Sequence, residues 1–328
     1  MNPLEIIGDK QVTLTIADSM IITNNKINNP LYDSIQCSIS GGSDSDIMLD
    51  ICDKFDKDKK IRYVFFDTGI EYQATKDHLD YLEKKYGITI ERVKAYCPVP
   101  LACKKNGLPF LSKKISDYIG RLQRHGFKWE DEPFDVLYKR YPKCKSALRW
   151  WCNEWGENSS FNISKHKYLK EFLIANPPNF DISAECCNGA KKKTAKMHDK
   201  ENNFDAVFIG VRQSEGGART TIYKNCFTPG DNHDNYRPLF WYTDQDKKVY
   251  EDCFDVTHSK CYTEYGLIRT GCAGCPFGSR FEEELKIIEK YEPKLFKAVN
   301  NIFGKSYEYT RKYREFKKTY KPIEEAIR

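Results

Sequence analysis

The chain has no apolar run long enough to cross a membrane as a helix. Residues 1–10 lack the basic, then apolar, then small-residue order of a secretory leader, so the expectation is a cytoplasmic protein. Internal repeats and low-complexity stretches are also missing, which excludes a repeat array. Neither charge dominates: 53 Lys and Arg against 47 Asp and Glu leave +6. That excess is compatible with a polyanionic partner and too small to require one. Histidine is scarce. Each of the six (His78, His125, His166, His198, His233, His258) is read as a surface or satisfied core residue, not a ligand.

Apolar residues are plentiful by contrast. At 40% hydrophobic and 14% aromatic, 328 residues can bury the core of one large domain or two. Cysteine is abundant as well. An odd count of 13, with no leader, argues against a disulfide framework and for metal or cluster ligation beside buried thiols.

The organising stretch is Ser40-Gly41-Gly42-Ser43-Asp44-Ser45. Before it, residues 32–39 alternate Ile35, Cys37 and Ile39 as a short strand; after it, Ile47, Met48, Leu49 and Ile51 begin an amphipathic helix. Glycines between a buried strand and a helix start let several N–H groups converge on an anion, and the helix dipole assists. The stretch has neither the Gly-Lys-Ser/Thr of the common NTPase phosphate loop nor Gly-x-Gly-x-x-Gly. Its alternative reading is an ordinary Gly/Ser turn.

Further along, 11–29 reads as a helix and 60–66 as a buried strand ending at Asp67-Thr68-Gly69. A helix over 74–86, stopped by Gly87, precedes a third strand over 88–93. This alternation predicts an α/β fold, a doubly wound and mostly parallel sheet with flanking helices, whose ligands sit at the carboxyl ends of strands. Another buried strand, 204–210, leads into Gly210-Val211-Arg212. Residues 226–240 read as loop, and Thr243 caps a helix. The expected domains are a helical segment (1–30), a nucleotide domain (31–280) with a helical Cys/Trp-rich insertion (97–200), and a helical C-terminal extension (281–328). In the insertion, Trp150 and Trp151 are read as core, with base stacking as the alternative.

Cys272-Ala273-Gly274-Cys275 is a tight ligand turn that suits zinc, a redox dithiol or half of a cluster site. Adjacent Cys186-Cys187 fits one tetrahedral ion poorly and a cluster's several irons better. Cys226 is a rival ligand.

Four stretches in order resemble the phosphoadenosine phosphosulfate (PAPS) reductase family of the PP-loop ATP pyrophosphatase superfamily. They are the 40–45 loop; Asp67-Thr68-Gly69; Gly210 and Arg212 through Ser214 to Arg219; and Arg237-Pro238-Leu239 through Arg269 to Cys272 and Cys275. The resemblance implies that Ser40, Gly41, Gly42, Ser43, Asp44 and Ser45 hold phosphates, and that Asp67, Thr68, Gly69 and Gly210 contact the nucleotide. It implies that Arg212 and Arg219 neutralise charge and that Asp44 takes part in catalysis. It also implies a [4Fe–4S] cluster on Cys186, Cys187, Cys272 and Cys275, with zinc as the alternative. The activity implied is attack at the α-phosphate of ATP or an adenylyl nucleotide, assisted by Mg²⁺ on Asp44 or Asp46, with release of pyrophosphate and transfer of sulfur. A nucleic-acid acceptor and a sulfur-donor protein, a cysteine desulfurase or a thioredoxin-like protein, would be partners. Reduction of a sulfonucleotide to sulfite is the alternative. It would need Cys144, Cys152 or a partner's thiol, because no cysteine follows Cys275. A non-catalytic nucleotide-binding subunit of a DNA-modification or defence complex is the third reading.

Overall fold

The structure is a computed structural model that describes residues 2–216 and 222–320. Arg219 lies outside the described residues. The chain divides into two compact units, Met1–Tyr96 with Lys191–Ala273, and Cys97–Ala190 with Gly274–Arg328.

The first unit is built on a sheet of order β3-β2-β1-β4-β6-β5. Its strands are β1 (Ile35–Ile39), β2 (Ile61–Asp67), β3 (Ile90–Lys94), β4 (Ala206–Ile209), β5 (Phe227–Thr228) and β6 (Asp234–Tyr236). β1 pairs in parallel with β2, where Ile35 lies opposite Ile61, and with β4, where it lies opposite Ala206. Only β5, on β6, runs antiparallel among these strands. Ile35, Cys37, Val64, Ala206 and Phe208 are buried, as expected of parallel strands covered on both faces. Helices α1 (Pro3–Ile7), α2 (Leu14–Ile27), α3 (Ser43–Phe55) and α4 (Gln73–Tyr86) and a helix over Asp244–Phe254 accompany the sheet. Thr243 caps the last of these through Asp246, and Gly87 ends α4 in the left-handed region at φ 61°.

The strand order reverses between β1 and β4, so the loops after these two strands diverge from one crevice at the sheet's carboxyl edge. The α/β reading of the sequence holds, with two corrections. Residues 226–240 are not all loop. Asp234-Asn235-Tyr236 has little strand propensity, yet the open edge of β4 supplies hydrogen-bond partners that the local sequence does not reveal. And α3 begins at Ser43, so Ser43, Asp44 and Ser45 are its first turn.

The second unit is helical, including Val99–Asn106, Lys113–Arg124, Lys145–Trp151, Leu169–Ala175, Phe281–Tyr291 and the 27-residue Pro293–Thr319. Its core gathers Phe110, Trp150, Trp151, Phe172 and Tyr309. Both tryptophans are buried, so they serve packing, while Arg149 lies 4.0 Å over the Trp155 ring.

Candidate functional site

The chain leaves β1 through Ser40 and turns at Gly41, whose φ is +66°. A Cβ there would come 2.6 Å from Thr75 Cγ2, so this position takes glycine for both backbone and space. Ser45 Oγ knots the turn. It accepts from Gly42 N–H at 3.1 Å and Ser40 N–H at 3.3 Å, and donates to Gly42 C=O at 2.7 Å. The loop is thereby fixed before any ligand arrives, with the N-terminus of α3 aimed outward. The end of β4 approaches closely: a Cβ on Gly210 would stand 3.4 Å from the Asp44 carbonyl.

Two cations meet on this turn. Arg212 donates from Nε to Asp44 Oδ1 at 3.0 Å and from Nη1 to Ser214 Oγ and Asp244 Oδ1 at 3.0 and 2.7 Å. Burial alone would lower its pKa; the carboxylates of Asp44 and Asp244 outweigh that and hold it above the ordinary value. Lys247 brings its ammonium 3.2 Å from Asp44 Oδ1 and donates to Ser43 Oγ. The concavity bounded by Ser40, Ser43, Ser45, Arg212, Lys247 and Thr270 measures about 110 Å³. That is below the ~300–1,000 Å³ of ordinary ligand pockets, so it suits a phosphate group and not a whole nucleotide. A larger hollow of about 400 Å³, beside Asp56, Arg62 and Gly87, lies away from these residues, at the opposite ends of the strands. The smaller one is the candidate site because its donors and cations converge.

The Asp67-Thr68-Gly69 turn closes on itself. Asp67 Oδ1 accepts from Gly69 N–H at 2.8 Å, and Thr68 Oγ1 donates to Glu71 at 2.5 Å. Burial raises the Glu71 pKa against that bond. Thr68 Oγ1 also lies 3.5 Å from Cys272 Sγ.

Asp46, the alternative to Asp44 as the Mg²⁺ ligand, is unsuited to that role. It is fully buried, Oδ2 lies 2.8 Å from His258 Nδ1, and Oδ1 lies 3.1 Å from His78 Nε2. His258 is thus hydrogen-bonded within the unit, while His78 is buried beside Asp46 with its Nε2 making no hydrogen bond. Lys247 and the His258–Asp46 contact escaped the sequence reading, and Asp244 entered it only through the helix start and the C-terminal resemblance. The one local signal was the cap at Thr243, which set the helical register that puts Asp244 and Lys247 one turn apart.

The cysteines divide between the units. In the second, the Cys186 thiol bonds with Cys103 and Cys187 and feels the charge of Cys275; the Cys103 bond and burial push it up. Gly189, beyond Cys187, packs against Cys97: a Cβ on it would stand 3.0 Å from the Cys97 Cβ. Cys275 follows Gly274, whose N–H donates to Glu284 at 3.0 Å and whose carbonyl accepts from Tyr307. Cys272 belongs to the first unit, as does Cys226, which packs on the sheet's core. Among the described residues no group of three or more His, Cys, Asp or Glu is arranged to hold a single metal ion. Burial also pushes up the thiols of Cys144 and, to about 11, Cys152, making both poor thiolates near neutral pH.

Residues 34–100, from β1 through the loop to the second turn, match the phosphoadenosine phosphosulfate reductase domain. The family resemblance drawn from the motifs is borne out at this level, and the domain's matched span holds the 40–45 loop and Asp67-Thr68-Gly69 but not Arg212 or Lys247. An uncharacterized protein of Methanocaldococcus jannaschii, MJ0066, is 24% identical over 285 residues, 85% of this chain. This chain spans 42% of that relative's length. Among solved structures, a PAPS reductase of Candida auris in complex with phosphate is similar with a TM-score of 0.41 at 13% identity, over 83% of this chain and 88% of that one. The U34-tRNA thiolase NcsA of Methanococcus maripaludis, with its [4Fe-4S] cluster, scores 0.38 at 13% identity, over 94% and 80%. The NH3-dependent NAD synthetase of Campylobacter jejuni scores 0.38 at 12%, over 98% and 99%. Scores this low carry no weight for chemistry or substrate.

Proposed function

We propose that the first unit binds the phosphates of ATP or an adenylyl nucleotide at the 40–45 loop and that the chain acts at the α-phosphate. The observation that carries this reading is the convergence of Arg212 and Lys247 on the glycine turn that opens α3. Phosphate oxygens entering there would exchange the Asp44 carboxylate for themselves as partners of both cations, and would accept from N–H groups at the helix start. The same cations would stabilise charge building on departing pyrophosphate. Asp44, released from the two cations as phosphate takes its place, would be the carboxylate available to hold Mg²⁺, which would offset charge on the phosphates. Sulfur would then attack the adenylated acceptor at the atom bearing the AMP oxygen, forming the bond to sulfur as the bond to that oxygen breaks and AMP leaves.

A [4Fe–4S] cluster on Cys186, Cys187, Cys272 and Cys275 belongs to this proposal, with zinc as its alternative and Cys226 as rival ligand. The thiols of Cys103, Cys187 and Cys275 that act on Cys186 fit thiolate ligation, and a cluster spreads its ligands over several irons, as one ion does not. Such a group would hold or deliver sulfur. A nucleic-acid acceptor and a sulfur-donor protein complete the scheme. The test is release of labelled pyrophosphate from ATP by anaerobically purified protein with candidate acceptors. Release that depends on acceptor supports the reading, and ATP binding without release under every acceptor contradicts it. Sulfite formation from a sulfonucleotide with a thiol reductant would point to the reductase alternative, which the domain match over 34–100 favours.

A further inference from the structure

Below the anion turn, α3 and the Asp244–Phe254 helix are joined by a second layer of polar contacts. In the first layer Lys247 meets Ser43 and Asp44. One turn along each helix stand Asp46 and Glu251, on the same faces by their i, i+3 and i, i+4 spacing. His258 spans them: Nδ1 is 2.8 Å from Asp46 Oδ2 and Nε2 is 2.8 Å from Glu251 Oε1. A third layer follows where Tyr250 donates to Asp50 at 2.7 Å. Asp46 is fully buried, and its other oxygen faces His78 Nε2 of α4 at 3.1 Å, out of line for a hydrogen bond. Glu251 also lies 3.8 Å from Lys247.

We propose that His258 is a positioning residue of the anion site: by bridging Asp46 to Glu251 it locks the two helices at the spacing that holds Lys247 over the 40–45 loop. This rests on the phosphate reading above. A bridge between two carboxylates needs both ring nitrogens to donate, so only the imidazolium can make it. Groups facing the ring support that form. Asp46 comes from α3 and Glu251 from the Asp244–Phe254 helix, with Lys247 behind Glu251 and His78 behind Asp46; the Tyr262 ring stands 6.0 Å away. Burial alone would lower the His258 pKa, but the bonds to Asp46 and Glu251 outweigh it and raise the value to about 9. Once the proton leaves, one carboxylate faces a lone pair and the bridge opens.

The experiment is calorimetric titration of the whole protein with inorganic pyrophosphate from about pH 7 to about pH 10, comparing wild type with His258→Gln and Glu251→Gln. Near neutral pH His258→Gln should bind roughly three- to tenfold more weakly, as for a charge-assisted bond acting through a neighbour. The wild-type-to-variant ratio should fall toward one above pH 9; the ligand's own titration cancels in that ratio. Glu251→Gln should shift the wild-type fall to lower pH, because one of the two carboxylates sustaining the imidazolium is gone. A ratio that stays constant with pH marks a merely structural histidine and overturns the proposal, as does equal affinity near neutral pH or an unmoved fall in Glu251→Gln. Wild type that binds no pyrophosphate at any pH overturns the phosphate reading itself, and the brace with it.

Discussion

The loop of the first unit and the thiols of the second hold their reactive groups in opposite ways. Around the loop, Arg212 and Lys247 both contact Asp44, and the carboxylates of Asp44 and Asp244 hold the Arg212 guanidinium charged against burial. Around Cys186, the hydrogen bond with Cys103 and burial push the proton on, against the opposing bond with Cys187, and the nucleophilic form is suppressed. The first arrangement is poised for an anion to enter and exchange partners. The second needs something external, such as a bound metal group, to draw the protons off. Pre-organisation therefore belongs to the loop, and under the proposed reading the thiols become ligands only when a metal group draws their protons off.

That contrast can be broken most forcefully at Gly41. Gly41→Ala forces a Cβ 2.6 Å from Thr75 Cγ2 at a positive φ. Pyrophosphate affinity should drop on the order of a hundredfold, and denaturant unfolding should report a loss of about 2 kcal/mol. Cys186→Ser should do the reverse. Most of the iron and acid-labile sulfide of an anaerobic preparation should be lost, while pyrophosphate affinity stays within about twofold. An equal effect of both variants on affinity would erase the distinction. Arg212→Ala removes one of two cations from Asp44 and should weaken pyrophosphate binding by roughly ten- to thirtyfold, read by calorimetry.

The smallest expected effect is on stability against pH. His258 has a folded value of about 9, above the ~6.5 of an unfolded chain. The stability it contributes is thus fully present below about pH 6.5 and is lost as pH rises through 9. The difference between wild type and His258→Gln in urea unfolding should be at most about 3 kcal/mol near pH 6 and close to zero near pH 10. A difference that grows with pH would mean the sign is wrong.

Much of the first unit was legible because its signals are local. An apolar strand, two glycines and a helix start occupy 21 consecutive residues from Ile35 to Phe55, and sheet burial produces that pattern directly. Lys247 was not legible, since it meets Ser43 across 204 positions of sequence. Asp46, an alternative Mg²⁺ ligand in the sequence reading, and Asp50 are both buried against histidine and tyrosine partners supplied by distant segments. Strand β6 was hidden for the same reason, its partner being β4 and not its own sequence. Among the cysteines, paired spacing singled out Cys186, Cys187, Cys272 and Cys275. Cys103 has no such spacing, although it bonds with Cys186.

The central claim is that Arg212 and Lys247 over the 40–45 loop make a phosphate site. Calorimetric titration of wild type and the double variant Arg212→Ala/Lys247→Ala with pyrophosphate tests it most directly. Saturable binding by wild type, with at least about a hundredfold loss in the double variant, is the predicted result. Binding of equal strength by both, or by neither, would contradict it.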